Sequence, residues 1–140
     1  MLAEEVERAG ERLPPAAPGA SPEEAVAEAL VGVGQHLLCQ PELAAAMMRS
    51  MSAADAATVV DAGRVDAALR RIVLRRLGVV DPTATDLTLV RLLLQCWYGA
   101  LQSSLNRRTS VTDLEGDILT ACRLLLAARS NKAAADVRTR

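Results

Sequence analysis

The stretch from Thr85 to Leu105 constrains this chain more than any other, because at 100° per residue it divides into three stripes where an ordinary amphipathic helix has two. Bulky apolar side chains recur at Val90, Leu94, Trp97, Leu101 and Leu105, a spacing that keeps them on one helical face and sends that face into a core. Nearly opposite run Leu92, Cys96, Gly99, Ala100 and Ser103, mostly small residues on which a second helix backbone can lie close. Arg91, Gln95, Tyr98 and Gln102 leave only a narrow polar strip. A helix apolar over most of its circumference has to be covered twice, once by its own domain and once by something else. At about 1.5 Å per residue it runs ~30 Å, the width of a small domain.

The surroundings of that helix are helical too. Ala and Leu dominate the apolar half of the 140 residues, Phe is absent, and Trp97 and Tyr98 are the only aromatics. No segment alternates with period two for long enough to make a strand, so the expectation is an all-α domain of about seven helices. Sixteen basic residues, of which only Lys132 is lysine, face seventeen acidic ones, and a net charge of −1 does not recommend nucleic acid as a direct partner. The longest uncharged run, Leu92 to Asn106, is short and holds Gln95, Gln102, Ser103 and Ser104, so no membrane span is expected. Met1-Leu2-Ala3 leads into acidic residues and not into a signal peptide, which makes the cytoplasm the expected location. Cys39, Cys96 and Cys122 each sit in an apolar helical pattern and read as buried small hydrophobes; with His36 as the single histidine, no zinc site is expected.

In chain order, Met1 to Leu13 reads as a charged helix with a thin apolar stripe, and Pro14 to Ala20 as a proline-rich linker, so residues 1–20 are expected to be a connecting helix and linker. Ser21-Pro22-Glu23-Glu24 is a capping box that starts a helix reaching about Cys39, with Val26, Leu30, Val33 and Leu37 inward and Gly32 and Gly34 leaving room for a neighbour or a ligand. Pro41-Glu42 opens a short helix with Leu43, Met47, Met48 and Met51; Ser52 with Asp55 looks like the next cap. The helical pattern continues to Leu77, with Arg70, Arg71, Arg75 and Arg76 either a solvated face or phosphate partners, and Gly78 in the position of a left-handed cap. Asp81-Pro82-Thr83 and Asn106 to Ser110 are turns flanking the central helix, and Thr112-Asp113-Leu114-Glu115 is a further capping box. The domain then spans residues 21–128, and 129–140 reads as a flexible polar tail.

A resemblance appears at this point. Gln95-Cys96-Trp97-Tyr98 through Asn106-Arg107-Arg108, followed by Ser110-Val111-Thr112-Asp113 and Arg123-Leu124-Leu125-Leu126, resembles the C-terminal half of TetR-family transcriptional regulators. The Gln40-Pro41-Glu42-Leu43 to Ala53-Ala54-Asp55 segment is similar to the actinobacterial, KstR-like branch of that family. The resemblance covers most of Ser21 to Ala128. It implies a repressor that is a homodimer through its last two helices, an effector that is lipid- or steroid-derived or a CoA thioester, and operator DNA bound by a helix-turn-helix domain. Met1 to Val6 resembles the helix joining the two domains, and the DNA-reading helices that precede it in the family are missing from this sequence.

Two sets of residues are therefore expected to matter. A pocket for an apolar molecule is expected among Gly34, His36, Leu37, Met47, Met48, Met51, Leu94, Trp97, Tyr98 and Leu101, where flexible methionines adapt and His36, Gln95, Tyr98 and Gln102 orient one polar end. A two-fold, four-helix interface is expected to use Leu92, Cys96, Gly99, Ala100 and Ser103 with Leu114, Ile118, Leu119, Cys122 and Leu126. No cofactor is called for. An enzyme reading lacks an activated nucleophile or a charge-stabilising site, whereas a helical dimerisation module that binds no small molecule is the rival to the sensor.

Overall fold

In a computed structural model, which describes residues 2–52, 56–106 and 111–139, the chain forms six helices. These are α1 (Leu2–Arg12), α2 (Pro22–Leu38), α3 (Pro41–Ser52), α4 (Ala56–Leu77), α5 (Ala84–Leu105) and α6 (Val111–Arg138). No strand occurs among the described residues. Six helices meet the expectation of about seven, and α4 runs through Gly63 as its apolar pattern does. Asp55, Met1 and the turn residues 107–110 lie outside the described residues, as do the side chains of Val111 and Thr112, so the Ser52 and Thr112 caps are not described.

Local signals set the helix ends. Ser21 Oγ accepts from the Glu24 amide at 3.2 Å while Glu24 reaches back to the Ser21 amide, and Pro22 follows the cap. α5 starts on a second reciprocal box, Thr83 with Asp86, that the turn reading of Asp81-Pro82-Thr83 passes over. Gly78 closes α4 at φ +69°, where its amide bonds the Arg75 carbonyl and the Val79 amide bonds that of Leu74, the paired pattern that satisfies the last carbonyls.

α2, not α5, is the hub: α1, α3, α4, α5 and α6 all pack on it. Small side chains make this possible, since Ala25, Ala27, Ala29 and Gly34 are buried beside Val26, Leu30, Val33 and Leu37. α1 belongs to the same core, with Val6 and Ala9 buried. Leu13 seats its Cδ2 where a side chain at Gly32 would be, 2.5 Å from the position of the missing Cβ. The linker is held as well, Arg76 donating to the Pro14 carbonyl at 2.6 Å.

α6 continues to Arg138, ten residues past the polarity change at Ala128, because the segment is rich in Ala and free of Gly and Pro. Arg129, placed in the tail by sequence, donates from Nε to Asp86 Oδ1 at 2.9 Å and ties α6 to the start of α5. Asp86 is buried, and the Thr83 amide, opposed by desolvation and aided by Arg129, holds its carboxyl below the ordinary value. No described helix is long and apolar enough to cross a membrane.

Candidate functional site

The bulky face of α5 points into the core as its spacing requires: Val90, Leu94, Trp97 and Leu101 are buried and Leu105 is half-buried. Trp97 crosses to α2, where its Nε1 donates to the Leu30 carbonyl at 2.8 Å. Gly34 lets the indole come this near, because a Cβ there would stand 3.5 Å from Nε1 and 3.3 Å from Leu101 Cδ2. The glycine thus makes room for the tryptophan, and Gly32 for Leu13, which leaves neither as space for a ligand.

Gly34, Leu37, Met47, Leu94, Trp97 and Leu101 are all buried, and all but Gly34 belong to one hydrophobic cluster, against which Met48 and Tyr98 pack half-buried. Their arrangement is a packed core. His36 lies at the surface, its Nε2 3.3 Å from Gln40 Nε2 and 3.9 Å from Glu5 Oε2, and Gln95 and Gln102 are exposed, so these three do not face the buried cluster. The Met51 side chain is outside the described residues.

Tyr98 differs from every other polar group near the core. Its ring stands edge-on to Trp97 at 5.3 Å, and its hydroxyl is buried with no hydrogen-bond partner among the described residues. Burial, and then the Asp66 carboxylate, push its ionisation well above the usual phenol value, so the group is a proton donor at any physiological pH. A buried donor left unmade is costly and calls for a reason.

The arginines of α4 are mostly occupied by the chain itself. Arg70 pairs with Asp66 at 2.9 Å, Arg71 with Glu7 of α1, and Arg76 with the Pro14 carbonyl. Three of the four expected phosphate partners therefore already have ligands within the subunit. Among the described residues no group of three His, Cys, Asp or Glu is placed to hold a metal.

The outer surface of α5 and α6 reverses part of the expected interface. Leu92, Cys96 and Gly99 are exposed and Ala100, Ser103 and Leu119 are half-buried, all with surface to offer. Leu114, Ile118, Cys122 and Leu126 are at most 2% exposed, covered by their own subunit, and have none. Among its exposed residues α6 sets Gly116, Thr120 and Leu124 in line at i, i+4, i+8, with Leu124 72% exposed, beside the charged Glu115, Asp117 and Arg123. On α6 the bulk expected at the interface lies inside the subunit, which has no phenylalanine to fill its core. Nothing lies within 4 Å of the Cβ positions of Gly99 and Gly116, so both leave the face flat. The cysteines also divide: only Cys122 is buried, with its thiol pushed up to about 12 chiefly by burial, while Cys39 and Cys96 are exposed.

With this geometry in place, a family model described as tetracyclin repressor-like, C-terminal domain, matches residues 19–125. The chain belongs to that family. This TetR-type domain is 45% identical to a TetR transcriptional regulator from Rhodococcus sp. RHA1 of known crystal structure, with a TM-score of 0.80 over 89% of this chain and 67% of that one. It is also 29% identical over 109 residues to the HTH-type transcriptional repressor KstR of Rhodococcus jostii (strain RHA1). That match takes in 78% of the TetR-type chain and 51% of the repressor, so the chain spans about half the length of the curated relative it matches. The TetR-type domain match begins at residue 19, next to the Ser21 capping box that opens α2.

Proposed function

We propose that this chain is the effector-binding and dimerisation part of a TetR-type transcriptional repressor, a homodimer that senses an apolar small molecule and reaches operator DNA through a helix-turn-helix segment outside these residues. The carrying observation is the outer face of α5 and α6, where Leu92 and Leu124 are exposed on a surface kept flat by Gly99 and Gly116. Two copies meeting on that face make a four-helix interface in which small residues allow close backbones and the leucines supply apolar area. The unpartnered Tyr98 hydroxyl supports an effector site on the inner side of the same helix.

Sedimentation velocity at micromolar concentration tests assembly: a dimer is expected, and a monomer overturns the interface. A thermal-shift screen of fatty acids, steroids and their CoA esters tests sensing. A ligand that binds only the folded state stabilises it by about 2.7 kcal/mol at a hundredfold excess over Kd.

The filled surroundings of Trp97 favour a second reading, a dimerisation module with no small-molecule ligand. A dimer whose melting temperature no apolar compound raises would establish that reading in place of the sensor.

A further inference from the structure

α2 and α6 pack side by side, and the groove between them is closed at both ends by their own polar side chains. At one end Gln35 Nε2 donates to Glu115 Oε1 at 2.7 Å; at the other Arg123 Nη2 stands 4.0 Å from Glu24 Oε1. The two helices therefore run antiparallel here, with the bridges about 16 Å apart along α2 and about 12 Å apart along α6. Between the bridges lies a trough of about 300 Å³. Its floor is apolar: Ala27 is buried and too small to fill the space, and Val31 and Leu119 are half-buried. Its charge is one-sided. Arg123 answers Glu24, whereas Glu28, on the α2 wall between the bridges, accepts the Ala17 amide at 3.4 Å and has no cationic partner among the described residues. Glu115 is likewise held by a neutral amide, so two carboxylates border the apolar floor without a counter-charge.

We propose that this trough binds a slim cationic amphiphile, with its alkyl body on Ala27, Val31 and Leu119 and its ammonium group against the Glu28 carboxylate. The closed ends decide the class of occupant. A helix or an extended peptide lying along the groove would have to break the Gln35 or the Arg123 bridge, whereas a small molecule fits between them. The volume is at the lower limit for small-molecule sites, which suits one alkyl chain and not a fused ring system. The floor holds any chain of that shape, and the carboxylate selects a cation over a neutral or anionic chain of the same length. Glu115, Leu119 and Arg123 lie one residue, and so about 100°, round α6 from Gly116, Thr120 and Leu124, which sets the trough beside the proposed dimer face and not on it. None of its lining residues is among those expected to hold an effector near Trp97, and the inference stands apart from the sensing reading.

The test is calorimetric titration of the whole chain at low ionic strength with octyltrimethylammonium, octanol and octanoate. The cation is expected to bind about tenfold more tightly than the alcohol, and octanoate more weakly than either. Glu28→Gln should weaken the cation about tenfold and leave the alcohol unchanged, while Glu42→Gln, at an exposed carboxylate of α3 outside the trough, should change neither. Leu119→Trp, which fills the trough, should abolish binding of both. No binding of the cation, equal affinities for cation and alcohol, equal losses from Glu28→Gln and Glu42→Gln, or full binding by a folded Leu119→Trp overturns the assignment. The thermal-shift screen of fatty acids and steroids reads the sensing reading separately, so either can fail without the other.

Discussion

Ile118 and Leu124 sit on different sides of α6, one covered by its own subunit and the other 72% exposed, so substituting each separates folding from assembly. Ile118→Ala deletes three buried carbons from a side chain that is 1% exposed. Transfer alone costs about 2.5 kcal/mol at ~0.8 kcal/mol per methylene. The cavity left behind brings the cost to about 2–5 kcal/mol, a large share of the 5–15 kcal/mol that holds a domain together. Leu124→Glu removes nothing from the subunit core and should alter its stability by no more than ~0.5 kcal/mol. At a two-fold interface, however, the same change buries two like charges and should leave monomers. Because dimerisation stabilises by mass action, the cost of Ile118→Ala is best measured by urea denaturation in the Leu124→Glu background, where protein concentration no longer matters. Sedimentation velocity reads assembly for each single variant. The reasoning is refuted if Ile118→Ala gives a monomer of undiminished stability, or if Leu124→Glu unfolds the subunit.

Asp86→Asn should destabilise by about 1 kcal/mol at neutral pH, since it weakens both the Thr83 cap and the Arg129 bond. The folded carboxyl lies below its ordinary value of 3.8, so its contribution is present above that pH and fades as pH falls through the folded value; chemical denaturation of wild type and variant should converge in that acid range. Gly34→Leu should cost about 1–3 kcal/mol by overpacking and red-shift Trp97 emission, whereas unchanged fluorescence would mean that the indole does not depend on that contact. A maleimide should label Cys39 in the native protein, Cys96 once Leu124→Glu has opened the proposed dimer face, and Cys122 only after denaturation, as mass spectrometry of the peptides would report.

The parts of this fold that were legible in the sequence are those decided within one helix. The 3.6-residue spacing of Val90, Leu94, Trp97 and Leu101, the Ser21 box and the Gly78 cap depend on neighbours in the chain, and the structure has them as read. What periodicity leaves open is which body covers an apolar face. On α6 the series through Ile118 is apolar enough for a partner, and only the packing of α2 and α5 shows that its own subunit covers it. The purpose of Gly34 was equally hidden, because the indole that fills its place lies 63 positions away. Arg129 illustrates the same gap: its polar surroundings suggest a tail, while its partner, 43 residues earlier, makes it a tether. At the candidate site Tyr98 was legible as a polar group on an apolar helix, but the burial of its hydroxyl without a partner was not, since that depends on what packs over it.

The bond from Trp97 to the Leu30 carbonyl grips α2 near its middle, with the glycine at position 34 removing any shoulder beside it. The indole is thus a pin between α5 and the helix on which all the others pack, and the two sides of α2 are loaded differently. Tyr98 leans on the edge of the pin, while Leu13, at the foot of α1, is lodged in the notch at Gly32. One helix therefore carries both the tryptophan pin and the notch that seats the residue following α1.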